Sequence, residues 1–356
     1  MHINKVELHN FRNYENQEIK LKKNINVFYG DNAQGKTNIL EAIFLCAFGK
    51  SFRTTREKEL IKLGEENARI KVEYSKKDRD GNILICISDK KQILVNGVKI
   101  KKLSELLGKI NIVIFTPDDI NILKGTPALR RRFLDMMIGQ LRPNYVYILN
   151  MYNKTLEQRN NYLRQIRQEG KAESLLEIWD EKLVEYGNII SNYRREFINK
   201  IIEKINIIHK KITNDNEKID IIYTSCCENK KNYMDLLTQR RKLDIIKGYT
   251  TKGIHRDDFE VYINGKELSI YGSQGQNRTA VLSLKLSELQ VIHDEIEEEP
   301  ILLLDDFMSE LDIKRRRNFL NNINNTQVII TCAEKINFIN ENVDYYLYQV
   351  KKGEII

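Results

Sequence analysis

The chain has 356 residues, 41% of them hydrophobic, with 58 basic and 50 acidic side chains and a formal net charge of +8. That content excludes a wholly disordered polypeptide and accommodates one large domain carrying an inserted lobe. No apolar run approaches the ~20 residues of a membrane helix, the opening segment has no secretory core, and the five cysteines lack zinc spacing, which sets aside membrane, exported and thiolate-metal classes and points to the cytosol. The excess of positive charge suits a polyanionic partner without establishing one.

Alternating apolar residues predict strands at the start of the chain. Ile3, Val6 and Leu8 lead into Phe11, Ile19 and Leu21 follow, and Ile25, Val27 and Phe28 run straight into Gly30. Ile39, Ile43, Phe44 and Ala47 then have the period of an amphipathic helix. Strand, glycine loop and helix together frame Gly30-Asp31-Asn32-Ala33-Gln34-Gly35-Lys36-Thr37, which fits G-x-x-x-x-G-K-[ST]. Glycines let backbone N–H groups curl around phosphate oxygens, and the helix start aims its dipole at the same anion. Lys36 is placed to bridge the β- and γ-phosphates of ATP, and Thr37 to give a hydroxyl to Mg²⁺. The competing reading is an ordinary strand-to-helix turn.

Further strands are predicted at 68–75, 83–88 and 92–100, the last broken by a hairpin step at Asn96-Gly97. The continuous apolar run at 110–115 reads as a buried strand. From Pro117 the pattern turns helical. One seam takes Tyr145, Leu149, Tyr152, Leu156, Leu163 and Ile166 and stops near Gly170; a second takes Leu176, Trp179, Leu183, Tyr186, Ile190, Tyr193, Phe197 and Ile201. Two helices joined by a short glycine turn should pack antiparallel. The last hundred or so residues return to α/β, with a hairpin at Asn264-Gly265, a helix over 276–296, and strands at 301–304, 328–331 and 345–350. The expected organisation is an α/β ATPase domain over 1–116 and 250–356, split by a mostly helical lobe over 117–249.

The strand at 301–304 ends in Asp305 and Asp306. Adjacent carboxylates at the end of a buried strand need a cation or polar partners, because desolvating a charge is costly. Asp305 is the candidate for the Mg²⁺ shell and Asp306 for orienting or deprotonating an attacking water; an N-cap pair for the next helix is the plainer alternative.

Ser273-Gln274-Gly275-Gln276 resembles the signature motif of ABC ATPases, and Ser309-Glu310-Leu311-Asp312 resembles their D-loop. Within that superfamily the stretches 8–14, 30–43, 115–119, 124–135, 253–259, 272–286 and 302–312 resemble the RecF family, in order along nearly the whole chain. The resemblance implies an ABC-type head with mixed β-sheets and a phosphate loop, plus the helical insert. It implies a weak DNA-stimulated ATPase used as a switch, and a head-to-tail homodimer with ATP between the copies. Ser273, Gly275, Gln276 and Asp312 would then meet nucleotide held by the other copy. It further implies binding of duplex and gapped DNA, including single-strand/double-strand junctions. With RecO and RecR such a protein would help load RecA and support fork repair and the SOS response.

The sequence departs from ABC ATPases at several positions. Asp306 stands where many carry Glu; Thr331 and Cys332 stand where a switch histidine is usual; no lid glutamine follows Ile114, leaving Asp118 or Asp119 as candidates. Among the basic clusters, Lys50, Arg53 and Arg56 are the favoured DNA contacts, with 99–102, 130–132, 240–242 and 315–317 as others. The alternatives are another SMC-like repair or chromosome-organising ATPase, against which the insert is too short for a long coiled coil, and a transporter ATPase subunit, against which the basic charge stands.

Overall fold

The computed structural model describes residues 1–214, 216–307, 323, 325–335 and 344–356. The chain forms two compact units, one of residues 1–119, 211–214 and 282–356, the other of 120–210 and 215–281. In chain order the strands are β1 (His2–Phe11), β2 (Tyr14–Lys20), β3 (Ile25–Tyr29), β4 (Ala68–Ser75), β5 (Asp80–Ile87), β6 (Gln92–Val95), β7 (Val98–Lys99) and β8 (Ile112–Phe115). The second unit contributes β9 (Ile219–Thr224), β10 (Asp258–Ile263) and β11 (Lys266–Glu267), and the first resumes with β12 (Ile301–Asp305), β13 (Val328–Cys332), β14 (Tyr345–Lys351) and β15 (Glu354–Ile355). Among the described residues the α-helices are α1 (Lys36–Phe48), α2 (Ile120–Lys124), α3 (Pro127–Leu141), α4 (Pro143–Glu169), α5 (Leu176–Thr213), α6 (Lys230–Lys247), α7 (Leu268–Tyr271) and α8 (Gln274–Ile296).

The first unit holds two sheets of different character. One is antiparallel, in the order β2-β1-β4-β5-β6-β7. Its central strands alternate as half-buried strands should: Ala68, Ile70, Val72 and Tyr74 of β4 face inward, with Arg69, Lys71 and Glu73 between them. The other sheet has the order β15-β14-β3-β13-β12-β8, and every pair except β14–β15 is parallel. Parallel strands are covered on both faces, so β8, β12 and β13 are buried along their whole length. Helix α1 packs against strands of both sheets. That is why it is buried all round from Ile39 to Phe48 rather than amphipathic as its spacing suggested. Both Asn-Gly steps make hairpins: Asn96 and Asn264 each have φ 50°, and the glycines after them 78°, the left-handed pair of a type I′ turn.

In the second unit α4 and α5 are antiparallel. Tyr162 meets Trp179 at 4.8 Å, Arg159 meets Asp180 at 2.6 Å and Tyr145 meets Tyr193 at 5.7 Å; as one number falls the other rises. The lobe is not purely helical, because β9 lies inside it and pairs antiparallel with β10, from Ile219 opposite Ile263 to Thr224 opposite Asp258. This pairing draws the segment after 250 into the lobe. The compact unit therefore ends at 281, within α8, where the sequence reading placed the boundary at 249. The short run at 219–224 was hidden between two helical patterns.

Candidate nucleotide site

Strand β3 delivers the phosphate loop and α1 leaves it. Gly30 has φ 151°, and a Cβ on it would stand 2.3 Å from the Val350 carbonyl oxygen of the adjoining β14; no other residue fits there. Gly35, φ 116°, is the N-cap of α1. Lys36 is only 8% exposed, and its ammonium curls back to donate to the carbonyls of Gly30 (2.6 Å) and Asp31 (2.7 Å). The loop is also braced from outside. Asn13 Nδ2 donates to the Gln34 carbonyl (2.7 Å) and the Gly353 N–H to the same oxygen (3.0 Å). The Lys352 N–H donates to Gln34 Oε1 (2.7 Å), and the Tyr14 hydroxyl to the Gly35 carbonyl (3.1 Å). Arg12, in the two-residue turn between β1 and β2, grips Glu41 of α1 through Nε (2.9 Å) and Nη2 (2.7 Å). These bonds fix the peptide planes that an anion would meet.

Register does the rest. Asp305 ends β12 beside Thr331 of β13, and β13 lies next to β3. Asp305 Oδ1 accepts from the hydroxyls of Thr37 (2.7 Å) and Thr331 (2.8 Å). Residues 268 positions apart thus share one point, a hydroxyl with a carboxylate, the donor type of a hard divalent cation. Asp306 follows at φ 49°, a left-handed conformation in which aspartate is tolerated. Its N–H donates to the Thr331 carbonyl (3.1 Å), and its side chain is partly exposed. Cys332 turns its buried thiol towards the Phe28 carbonyl (3.8 Å). Asp119 accepts from the Thr116 N–H (2.7 Å). Burial raises its carboxyl pKa above the usual range, with the Lys285 charge pulling the other way. Asp118 stays exposed.

In the second unit Ser273 caps α8. Its Oγ accepts from the Gln276 N–H (3.1 Å), and Gln276 Oε1 accepts from the Ser273 N–H (3.0 Å), a reciprocal capping box. Gln276 Nε2 also donates to Glu217 (2.9 Å). Ser273 is exposed at the helix tip and Gly275 partly so. Asp312, with the rest of 309–312 and the cluster 315–317, lies outside the described residues. The favoured basic trio is divided. Lys50 is exposed, Arg53 Nη1 bonds Asn38 Oδ1 (2.7 Å) and lies 3.4 Å from buried Glu41, and Arg56 stands 3.7 Å from Glu59. Arg130 is committed to Asp258 (2.6 and 2.8 Å). Sequence reasoning missed Arg12, Asn13, Glu41 and Thr331 as parts of the site. The only signal for the first two was their place in the matched stretch 8–14.

A parallel sheet that brings a phosphate loop and a carboxylate-tipped strand together, joined to an antiparallel sheet, is the head fold of SMC-like ABC ATPases. A solved Smc head bound to the C-winged helix domain of ScpA shares this fold, with a TM-score of 0.60 at 17% identity over 100% of this chain and 97% of that one. The chain belongs to the RecF family: residues 2–355 match the RecF/RecN/SMC N terminal domain. The DNA replication and repair protein RecF of Clostridium perfringens is 44% identical over 364 residues, covering 100% of this chain and 99% of that protein. That of Acetivibrio thermocellus is 42% identical, covering 98% and 97%. A solved structure of the recombination mediator protein RecF with ATP, of the RecFOR pathway, superposes with a TM-score of 0.93 at 38% identity, covering 99% of this chain and 96% of that one.

Proposed function

We propose that this chain binds ATP with Mg²⁺ and hydrolyses it slowly, pairs head to tail with a second copy when ATP is bound, and in that form binds DNA in recombinational repair. The observation that carries the reading is the meeting of Thr37 and Asp305 at 2.7 Å beside a loop over which Lys36 is already curled. Thr37 and Asp305 would hold Mg²⁺, which would neutralise charge on the terminal phosphates. Lys36 would trade the Gly30 and Asp31 carbonyls for phosphate oxygens. Asp306, just beyond the strand end, would orient the attacking water and take its proton, with a shorter reach than Glu that suits slow turnover. Ser273, exposed at the start of α8, would offer its hydroxyl and the helix amides to the γ-phosphate held by the other copy.

The names of the relatives support the setting: DNA replication and repair, and for the ATP-bound RecF the RecFOR pathway. In that setting the chain works in the cytosol on duplex and gapped DNA, including junctions of single and double strand, with RecO and RecR, to help load RecA and sustain fork repair and the SOS response. Sedimentation tests the switch. Wild-type protein should double in mass with Mg-ATP while Lys36→Ala stays at the monomer mass; one mass for wild type with and without nucleotide would remove the dimer.

A further inference from the structure

Lys50 and the lysines at 99, 101 and 102 are separate clusters in the sequence, yet the fold brings them around one groove of about 270 Å³ in the first unit. Lys91 also lines it, and no acidic or aromatic side chain does. The groove follows from local structure. Helix α1 ends at Gly49, φ 66°, whose N–H bonds the Leu45 carbonyl at 2.7 Å. A Cβ on Gly49 would lie 2.5 Å from Leu103, so the turn carrying Lys101 and Lys102 packs directly on the helix end. The Ile100 N–H bonds the Ile93 carbonyl at 3.0 Å, which holds the segment after β7 in place. Lys91 is spent on structure: its ammonium bonds the Gly49 carbonyl (2.9 Å) and pairs with Glu57. Lys50, Lys99, Lys101 and Lys102 are exposed along the groove. Arg53 and Arg56, by contrast, face Glu41 and Glu59.

We propose that this groove seats the sugar–phosphate backbone of double-stranded DNA, with Lys50, Lys99, Lys101 and Lys102 as its phosphate contacts. The proposal rests on the DNA-binding reading above and locates it. Lysine ammonium groups on flexible stems neutralise phosphates without reading bases. Single strands are gripped mainly by aromatic side chains on which bases stack, and the groove has none. Its partner is therefore the duplex.

The test is a salt titration of binding to a duplex and to a single strand of equal length, read by fluorescence anisotropy at fixed Mg-ATP. It compares wild type with the triple variant Lys99→Gln/Lys101→Gln/Lys102→Gln. Lys20→Gln/Lys22→Gln/Lys23→Gln is the charge-matched control; it sits at and just beyond β2, the edge strand opposite β7 in the same sheet. Each lost phosphate contact should remove about 0.9 from the log–log salt slope on duplex DNA. The groove variant should lose about 2 or more and bind the duplex at least about tenfold more weakly near 0.1 M salt, the control losing less than about 1. The single charge swap Lys101→Glu should move in the same direction. A groove variant that matches the control on the duplex, or loses as much on the single strand, overturns the footprint while the DNA-binding reading stands. A wild type with no salt-dependent DNA binding overturns both.

Discussion

Thr331 lies near the end of β13, and its hydroxyl is committed to Asp305 at 2.8 Å. Together with Thr37 it fixes the rotamer of the carboxylate proposed to hold the cation. Partners of this kind cost about 10–100-fold in metal affinity or activity when removed. Thr331→Val keeps the shape and deletes the hydroxyl. It should raise the Mg²⁺ concentration needed for half-maximal hydrolysis by about tenfold, with ATP binding in the absence of Mg²⁺ little changed; an identical Mg²⁺ titration would show that Asp305 needs no such support. The residue type alone pointed only to an absence. The carboxylates and the loop were legible because their chemistry is written in contiguous motifs. The role of Thr331 comes from strand register, which no local pattern encodes.

Among the elements, the turn after β14 and the turn between β1 and β2 do the work of a clasp on the phosphate loop. Gly353, φ 79°, approaches so closely that a Cβ would stand 2.4 Å from the Asn13 carbonyl oxygen. Gly353→Ala would meet both that wall and a left-handed backbone. It should push the turn off Gln34 and weaken ATP binding by about tenfold, with a stability loss of about 1–3 kcal/mol. Calorimetric titration with ATP reads the first quantity and urea unfolding the second; an unchanged affinity would make the clasp ornamental to the site. Periodicity served unevenly at this scale. The two Asn-Gly hairpins and the α4–α5 pair were plain from spacing. Burial of α1 on all sides was not, because covering by two sheets overrides the amphipathic template.

Across the molecule, the second unit is pinned by buried polar groups as much as by apolar packing. The His255 Nε2 faces the Thr250 carbonyl (3.1 Å), so that nitrogen carries the proton; Nδ1 then accepts from the Tyr152 hydroxyl (2.9 Å), which accepts from Tyr233 (3.0 Å). The chain of bonds ties α4 and α6 to the segment before β10. Burial lowers the His255 pKa from 6.5 to about 4, so the ring is neutral when folded and gains a proton on unfolding between those values. Its contribution is whole above pH 6.5 and is lost as the pH falls towards 4, a difference of at most about 3 kcal/mol. His255→Gln should therefore lose less stability than wild type between pH 7 and pH 5, measured by urea unfolding at each pH; parallel losses would place the acid sensitivity elsewhere. The helical seams of α4 and α5 and the strands flanking the phosphate loop were readable from the sequence. The reach of the lobe to 281 was not, since it depends on β9 finding β10 across the intervening α6.

The clasp has a temporal side. Strand β3 has as its neighbours only β13 and β14, and Gln34 is held by Lys352, 318 positions further along the chain. A ribosome releases the glycine-rich loop together with Asn13 and Tyr14, but long before Lys352 and Gly353, which close the other side of the clasp. Nascent polypeptide therefore carries an unfinished clasp until Lys352 and Gly353 have emerged and can reach Gln34.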